Sequence, residues 1–465
     1  MKKTRPHSSR RLVAVSNRTS FGSPGAGGLA VALSDTLAET GGLWIGWSGK
    51  IFDTPRRRVH LTEEGGVSFA LIDMSKSDYE GFYLGYANSV LWPVMHNRLD
   101  LAVFDSDYLA AYIAINQQFA RAISDQTTSD DLIWVQDYHF FLIAKQLKDA
   151  GCHRQTGFFL HIPFPAPEVF RSIPDHRLLG EGLCAYDVVG LQSPHDCKNF
   201  TRYIQEELGA EQVGEERYRI GGHTLTLRLC PIGIDAESFS QSATSDAAKN
   251  AARKLAKFLG DRHLIIGVDR MDYSKGLPQR FEGMATLFDK YPVLHGSISF
   301  TQIAPPSRSV VEEYAHLRQQ LDELSGRING DYGDLDWIPI RYLARGYERD
   351  ELAGLYRLAR VGLVTPLQDG MNLVAKEYIA AQDPDDPGVL VLSQFAGAAE
   401  QMKEALIINP HDRDAVADSV LTALNMPLEE RIRRWRVLYG GICRQDITWW
   451  REHFLSAFDS APAGT

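Results

Sequence analysis

The stretch V-G-L-V-T-P-L-Q-D-G-M-N-L-V-A-K-E-Y, Val361–Tyr378, decides how the rest of this chain is interpreted. Its apolar start, Val361–Leu367, predicts a buried strand. A turn is predicted at Asp369–Asn372, since Asp-Gly and Asn tolerate tight and left-handed backbone, and a helix is predicted over Leu373–Ala381. A strand, a glycine-containing loop and a helix start aim unpaired N–H groups beyond the strand's carboxyl end, which favours an anion such as a phosphate.

Glu377 lies about one turn inside the predicted helix, too far along to meet a phosphate at the helix start without repulsion. A carboxylate in this place suits the two hydroxyls of a ribose. A phosphate with a neighbouring diol indicates a nucleotide. The stretch alone also fits an ordinary strand–turn–helix unit with a solvated carboxylate, because short motifs often match by chance.

Composition restricts the class of protein. The 465 residues predict about two to three domains, and the net charge of −10 argues against nucleic-acid binding. Five scattered cysteines without a C-x-x-C pair indicate reduced thiols rather than disulfides or a zinc site. No apolar run reaches the roughly 20 residues that span a membrane. We therefore expect a cytoplasmic protein with a disordered basic tail over residues 1–11 and neither nucleic-acid nor membrane partners.

Apolar runs and helical patterns alternate along the whole chain, which is typical of an α/β fold with parallel sheets. Helices are predicted over Leu29–Leu37 and Ala110–Ala122. Besides the stretch quoted above, strands are predicted at Leu12–Val15, Asp131–Val135, Thr156–Leu160, Val188–Leu191, Leu225–Cys230, His263–Val268, within Val293–Gln302 and at Gly388–Leu392.

The Ser- and Ala-rich segment Ser238–Ala248 divides the alternating pattern into two series and is predicted to be a linker. We therefore expect two doubly wound, Rossmann-like domains that face each other across a cleft, over residues 12–238 and 239–444. A helix over residues 445–460 is expected to pack back on the first domain.

Polar residues follow the carboxyl ends of predicted strands, where α/β proteins bind their ligands. Two cations beside a helix N-terminus can neutralise a pyrophosphate leaving group without a metal ion, so the pattern predicts a sugar nucleotide and no metal site. The candidate residues are Arg18, Gly27, Gly28, Tyr83, Asp137 and His161 in the first series, Arg270, Lys275, Asp369 and Glu377 in the second, and Arg308 after a Pro-Pro loop.

Several longer motifs give the chain a specific resemblance. They include S-N-R, A-G-G-L, G-W-S-G, N-S-V-L-W-P, F-F-L-H-I-P-F-P, D-R-M-D-Y-S-K-G-L-P, T-Q-I-A-P-P-S-R and D-G-M-N-L-V-A-K-E-Y. With these motifs the chain closely resembles the trehalose-6-phosphate synthases of glycosyltransferase family 20, which are retaining enzymes with the two-domain GT-B architecture. The resemblance runs from residue 12 to about residue 450.

The resemblance implies roles for individual residues. The glucose 6-phosphate site would be formed by Arg18, Tyr83, Asp137 and Arg308, with the two arginines on the phosphate. The UDP-glucose site would be formed by Gly27, Gly28, Arg270, Lys275, Tyr347, Asp369, Leu373, Val374, Ala375, Lys376 and Glu377. The residues implied to act at the reaction centre are His161, Asp369, Arg270, Lys275 and Trp92.

The implied reaction moves glucose from UDP-glucose to glucose 6-phosphate with retention, and it gives α,α-trehalose 6-phosphate and UDP without a cofactor. A same-face mechanism fits the sequence, since no carboxylate pair of the glycosidase type is visible. GDP-glucose and ADP-glucose stay open as donors. Two alternatives also stay open: the same fold with glycerol 3-phosphate as acceptor, and a sugar-phosphate sensor without activity. We further expect a homo-oligomer.

Overall fold

In the computed structural model of the chain, the described residues are 10–22, 33–34, 36–37, 41–54, 58–307 and 312–460. They form two compact units, the first consisting of the chain up to Pro231 together with the segment from Trp450 onward, and the second of Ile232–Trp449. Each unit contains a parallel-rich sheet covered by helices, so the predicted α/β class with parallel sheets is confirmed.

The sheet of the first unit has the strand order β3-β4-β2-β1-β5-β6-β7-β10-β9-β8. Its central strands are parallel, and the β3–β4, β9–β10 and β8–β9 pairs at its edges are antiparallel. The strands are β1 Leu12–Arg18, β2 Leu43–Phe52, β3 Val59–Glu64, β4 Val67–Ser75, β5 Leu132–Gln136, β6 Gln155–Phe159, β7 Val188–Leu191, β8 Glu211–Gln212, β9 Arg217–Ile220 and β10 His223–Leu229.

Helices connect the parallel strands of the first unit. The predicted helix Ala110–Ala122 falls inside a longer observed helix, and the predicted helix Leu29–Leu37 lies mostly outside the described residues. The observed helices are Lys76–Asp78, the π-helical Tyr79–Leu91, Trp92–Met95, Ser106–Gln126, Ile143–Asp149, Pro167–Phe170, His176–Cys184, Pro194–Leu208 and Ile447–Ser460, the last of which begins in the second unit.

The sheet of the second unit is parallel throughout and has the strand order β13-β12-β11-β14-β15-β16. Its strands are β11 His263–Val268, β12 Ile298–Ile303, β13 Ile340–Leu343, β14 Val361–Val364, β15 Val389–Ser393 and β16 Leu406–Ile408. Its helices are Ala236–Ser242, Asp246–Leu259, Leu277–Lys290, Glu312–Tyr332, Arg349–Leu358, Leu373–Ala381, Arg413–Leu424 and Leu428–Arg444.

The predicted linker Ser238–Ala248 is wrong, because this segment contains the end of one helix and the start of the next. Its serines do not mark a flexible chain: the hydroxyl of Ser245 accepts a hydrogen bond from Ala248 N and so caps the second helix. Phe239 is buried on the first helix against Tyr356, with 6.3 Å between ring centroids. The boundary between the units therefore lies earlier, after Pro231.

The predicted disordered tail extends too far, because Arg10 and Arg11 belong to the folded first unit. The Nε of Arg10 donates to the carbonyl of Asp130 at 2.9 Å, and the guanidinium of Arg11 lies 3.0 Å from the carboxylate of Asp131. These arginines pair with acceptors just before β5, so the folded first unit includes residues ahead of β1. Residues 1–9 lie outside the described part of the chain.

The C-terminal helix supplies a large part of the core of the first unit. The ring of Phe454 stacks on Trp134 at 4.9 Å between centroids and is fully buried. Two glycines of the sheet, Gly157 and Gly190, make room for it, since a Cβ at either position would come within 3.0 Å of a Phe454 ring atom. The helix and the sheet are therefore matched in shape, as expected of a close-packed core.

We expect Phe454→Ala to lower the free energy of unfolding of the first unit by about 3–5 kcal/mol, because it removes a buried ring and leaves a cavity. Urea unfolding followed by tryptophan fluorescence measures this change. The matched control, Phe104→Ala, removes a ring of the same unit that is 43% exposed and should change stability by about 0.5 kcal/mol or less. Equal losses in the two variants would contradict the packing role of Phe454.

Candidate active site

In the second unit, the loops after the neighbouring strands β11 and β14 bring Lys275 and Asp369 together. The Lys275 ammonium lies 2.6 Å from Oδ2 of Asp369, and both side chains are largely buried. The side-chain amide of Asn372 donates to the same carboxylate oxygen at 3.0 Å. The structure thus connects two of the predicted site residues to the residue that caps the Leu373–Ala381 helix.

The loop that carries Lys275 is held rigidly. Asp272 is fully buried, and its two carboxylate oxygens accept hydrogen bonds from Ser274 N at 3.0 Å and from the Tyr314 hydroxyl at 3.2 Å. Gly276 has a φ of +62°, and a Cβ there would collide with the carbonyl oxygen of Thr365. Only glycine combines this backbone with this close approach, so Gly276 fixes the distance between the two loops.

A buried ion pair lies beneath the Lys275 and Asp369 loops. The guanidinium of Arg280 donates to Asp269 at 2.7 Å, to Gln302 at 2.8 Å and to the Thr365 hydroxyl at 2.9 Å. Burial raises the pKa of Asp269, and the neighbouring Arg280 and Lys275 oppose that rise. The pair joins the carboxyl ends of β11, β12 and β14.

The start of the Leu373–Ala381 helix has the geometry that its sequence predicted. Asn372 has a φ of 81°, and its side chain accepts a hydrogen bond from Ala375 N at 3.1 Å. Leu373 and Val374, in the first turn, are partly exposed. The turn before them is fixed by a hydrogen bond of 2.8 Å from Ala398 N to the carbonyl of Met371. The first turn can therefore present its N–H groups and its positive dipole end to an anion.

Glu377 and Lys376 are adjacent but point to different surroundings. Glu377 is partly exposed although densely surrounded, and burial raises its pKa to about 7, helped by Asp269 and opposed by Arg349. Lys376 is buried, and its ammonium donates to the carbonyl of Ile232 at 2.6 Å and to the Gln401 side chain at 2.7 Å. Burial lowers the pKa of Lys376 to about 7. The side chain of Lys376 is thus directed to Ile232, and only the backbone of Lys376 lies in the first turns of the helix.

The remaining predicted donor residues are placed as follows. Arg270 is exposed directly after Asp269, beyond the end of β11. Tyr347 is partly exposed, and its hydroxyl accepts hydrogen bonds from Arg345 at 2.9 and 2.7 Å. Gly27, Gly28 and Arg308 lie outside the described residues.

In the first unit, Asp137 and His161 lie beyond the ends of the neighbouring strands β5 and β6 and are in direct contact. His161 N donates to Oδ1 of Asp137 at 3.1 Å, and Asp137 N donates to the carbonyl of Phe159 at 2.8 Å. Asp137 has a φ of 72°, in the left-handed region that non-glycine residues seldom adopt. Strained backbone of this kind, held by specific hydrogen bonds, is often found at functional sites.

The imidazole of His161 is fixed on several sides. Its Nε2 lies 2.8 Å from Oε1 of Gln136, and its ring packs at 4.7 Å from the ring of Phe159 and 6.1 Å from that of Trp450. Burial lowers the pKa of His161 to about 3, so the ring is neutral at physiological pH. The imidazole can therefore act as an oriented dipole but not as a cation.

Aromatic rings pack beside Arg18 and Tyr83, two residues predicted to bind the acceptor sugar phosphate. The Arg18 guanidinium lies 5.1 Å from the ring centroid of Trp47. The ring of Tyr83 lies 6.1 Å from Trp47, stacks on Tyr79 at 5.3 Å, and is nearly parallel to His139 at 6.0 Å. The exposed Arg18 thus lies beside a packed group of rings in which Trp47 is buried and Tyr79 and Tyr83 are partly exposed, and an exposed cation of this kind suits a phosphate.

Trp92, the remaining residue predicted at the reaction centre, is buried. Its ring packs at 4.2 Å from His96 and at 5.6 Å from Tyr138.

The sequence did not assign a site role to several residues that the structure brings next to predicted ones. The i, i+4 spacing of the two tyrosines on one helix could have indicated Tyr79, and a lone arginine on the apolar face of the Leu277–Lys290 helix could have indicated the buried ion pair. The unassigned residues are Trp47, Tyr79, Gln136, His139, Asp269 and Arg280.

Among the described residues, no group of three or more His, Cys, Asp or Glu side chains has the spacing to hold a metal ion. A search of the same residues finds no helix with the length and hydropathy that crossing a bilayer requires.

Comparison with known proteins shows that the chain is a glycosyltransferase. The model of glycosyltransferase family 20 matches residues 3–460, and the chain belongs to this family. Among its relatives are proteins named trehalose-6-phosphate synthase, from Sinorhizobium fredii (44% identical, covering 96% of this chain and 97% of the relative) and from Klebsiella pneumoniae (44%, 96% and 94%).

Solved structures agree with the family assignment. A UDP-forming α,α-trehalose-phosphate synthase from Burkholderia vietnamiensis has a TM-score of 0.95 at 42% identity and covers 97% of each chain. One from Burkholderia xenovorans, in complex with glucose 6-phosphate, has a TM-score of 0.92 at 43% identity, covering 96% of this chain and 98% of that one. An E. coli protein bound with UDP-2-fluoro glucose has a TM-score of 0.93 at 42% identity, with coverages of 97% and 99%.

The strained backbone of Asp137 leads to a prediction on stability. Asp137→Ala should be less stable than Asp137→Gly by about 1 kcal/mol, because both variants lose the acceptor for His161 N but only alanine keeps the unfavourable φ. Urea unfolding of the two variants measures the difference, and each serves as the control for the other. An alanine variant as stable as the glycine variant would show that the backbone is not strained.

Proposed function

We propose that this protein transfers glucose from UDP-glucose to glucose 6-phosphate and releases α,α-trehalose 6-phosphate and UDP. The observation that carries the proposal is the connected group of Lys275, Asp369 and Asn372 at the start of the Leu373–Ala381 helix. The proposal is also supported by the relatives, which are named for this product and include structures with glucose 6-phosphate and with a fluorinated UDP-glucose.

The second unit binds the nucleotide-sugar donor. Arg270, Lys275 and the first-turn N–H groups of the helix carry positive charge toward the pyrophosphate, whose terminal phosphate gains negative charge when it departs. Glu377 accepts hydrogen bonds from the ribose diol. Asp369, held by Lys275 and Asn372, accepts hydrogen bonds from hydroxyls of the transferred glucose.

The first unit binds the acceptor. The guanidinium of Arg18 pairs with the phosphate, and Arg308 is proposed to do the same. The sugar lies beside the partly exposed Tyr83, and the carboxylate of Asp137 accepts hydrogen bonds from sugar hydroxyls.

Transfer proceeds on one face of the donor sugar. The bond from C1 to the phosphate oxygen breaks while the bond from C1 to the acceptor's anomeric oxygen forms on the same side. The departing phosphate oxygen takes the proton of the acceptor hydroxyl, so neither a separate base nor a metal ion is needed. His161, neutral and fixed in place, orients a hydroxyl by hydrogen bonding.

Glycerol 3-phosphate is the second candidate acceptor. It would use the same phosphate ligands but would leave the carboxylate of Asp137 without the sugar hydroxyls that it suits, which favours the hexose phosphate. A sensor without activity would not require the leaving-group cations, and Arg270 and Lys275 are both present. A cytoplasmic location, a homo-oligomeric state and the choice of UDP-glucose over GDP- or ADP-glucose belong to the same proposal.

A coupled assay of nucleoside diphosphate release tests the proposed function. UDP-, GDP- and ADP-glucose are each combined with glucose 6-phosphate or glycerol 3-phosphate, with and without EDTA. We expect turnover with UDP-glucose and glucose 6-phosphate, unchanged by EDTA. Turnover with glycerol 3-phosphate instead would favour the alternative enzyme, binding without turnover would favour the sensor, and loss in EDTA restored by Mg²⁺ would contradict the metal-free mechanism.

We expect Lys275→Ala to lower kcat by about 100- to 1,000-fold, because the departing phosphate loses a preorganised cation. The matched control is Lys403→Ala in the same unit, whose side chain is 66% exposed. Steady-state kinetics with saturating glucose 6-phosphate measure both variants. Comparable activity in the two would remove Lys275 from the mechanism.

The raised pKa of Glu377 predicts a pH dependence of donor binding. UDP-glucose keeps its charge near neutrality, whereas Glu377 becomes protonated as the pH falls through about 7 and then accepts the diol hydrogen bonds poorly. The KM for UDP-glucose should therefore rise about five- to tenfold between pH 8 and pH 6. Glu377→Gln should have a high KM at pH 8 and a nearly flat profile. A flat profile for the unmodified protein would contradict the prediction.

A further inference from the structure

The carboxamide of Gln136 is an unusual feature beneath the acceptor site. Gln136 is the last residue of β5 and is only 1% exposed. Its Oε1 lies 2.8 Å from Nε2 of His161, and its Nε2 is buried with no hydrogen-bond partner among the described residues. Burying an amide that is half satisfied costs stability, and an apolar side chain of similar size would avoid this cost. A role other than stability therefore has to account for the amide.

The surroundings of His161 fix the position of its ring but not its tautomer. The amide of Gln136 fixes the tautomer. The rings of Phe159 and Trp450 pack against the imidazole, and the backbone N–H of His161 is bound to Asp137. These contacts do not determine which ring nitrogen carries the hydrogen. In a neutral imidazole, the tautomer is set by the hydrogen bond made by one of the two nitrogens. An amide oxygen facing Nε2 requires the hydrogen on Nε2 and leaves a lone pair on Nδ1.

We propose that Gln136 is a positioning residue that fixes His161 in the neutral form with the hydrogen on Nε2, so that Nδ1 accepts a hydrogen bond from a sugar hydroxyl. This inference rests on the proposed function, in which His161 orients a hydroxyl at the reaction centre. Among the described residues, the hydrogen bond of this ring is made by Nε2 and not by Nδ1, and His161 as a residue is partly exposed.

An uncharged partner suits the same-face mechanism. A carboxylate at position 136 would favour an imidazolium, and the hydroxyl would then meet a donor instead of an acceptor. With an amide, burial keeps the pKa of His161 at about 3, so Nδ1 accepts a hydrogen bond without taking the proton. The proton is thus left for the departing phosphate oxygen, as the proposed reaction requires.

The test combines a spectroscopic measurement with kinetics on the full chain. In protein labelled with ¹⁵N-histidine, the two ring nitrogens of His161 report the tautomer directly, and His161→Asn identifies their signals among those of the 14 histidines. We expect hydrogen on Nε2 in the unmodified protein. In Gln136→Met, which is similar in size but apolar, we expect the signals to shift toward the other tautomer or a mixture.

Kinetics should separate positioning from a structural role. Gln136→Met should lower kcat about tenfold, with KM for both substrates changed by about twofold or less and with an unchanged or higher Tm. The matched control is Gln155→Met, which alters a buried glutamine at the other end of the adjacent strand β6 and should leave kcat and the His161 signals unchanged.

A charged substitution gives a third measurement. Gln136→Glu should give a doubly protonated His161 at neutral pH, because a carboxylate then faces Nε2. Asp137 is the other carboxylate in contact with His161. Hydrogen on Nδ1 in the unmodified protein, or an unchanged tautomer in Gln136→Met, would overturn the proposal. Because the tautomer is measured without substrates, a failure of the proposed function would appear separately, as absent turnover in protein with the expected Nε2 hydrogen.

Discussion

The buried pair of Asp269 and Arg280 is the interaction on which the Lys275 and Asp369 loops of the second unit depend. A buried ion pair is tolerated only when its remaining donors and acceptors are satisfied, and Arg280 meets this requirement by binding Gln302 and Thr365 as well. Because these partners come from three neighbouring strands, the pair fixes the ends of those strands relative to one another. The loops that carry Lys275 and Asp369 start from these strand ends and are therefore fixed as well. Gly276 permits the closest approach between the two loops.

The predicted site residues of the first unit are organised in a similar way, but with hydrogen bonds in place of the ion pair. The backbone of Asp137 is bound to Phe159, and its carboxylate is bound to the backbone of His161, so two strand ends are joined by a single residue. Trp450 from the C-terminal helix then closes one side of the imidazole. In each unit, the predicted site residues are held in place by specific hydrogen bonds between neighbouring strand ends and loops.

The sequence predicted the fold class well, because the alternation of apolar runs and helices is a direct result of burying a parallel sheet on both faces. Strands such as Val188–Leu191 and His263–Val268 were placed correctly to the residue. The prediction of a linker was wrong because, in sequence, a serine that caps a helix cannot be told from a serine in a flexible chain. The packing of Phe239, which distinguishes the two, is not visible in the sequence.

The site was predictable where a motif fixes backbone geometry and less so where distant side chains meet. The turn at Asp369 and the helix after it follow from local residue preferences. The direction of the Lys376 side chain depends instead on the carbonyl of Ile232, which is 144 residues away in the chain. The stacking of Tyr83 on His139 likewise joins residues far apart in sequence. Such contacts depend on tertiary packing, which periodicity and composition do not describe.

The position of the C-terminal helix in the sequence affects folding during synthesis. The first unit is discontinuous in the chain, since its sheet precedes the second unit and its covering helix follows it. During synthesis, the apolar sheet surface around Gly157 and Gly190 therefore leaves the ribosome without the helix that covers it. That surface stays uncovered while all of Ile232–Trp449 is being translated, and an apolar face exposed for so long is prone to aggregation.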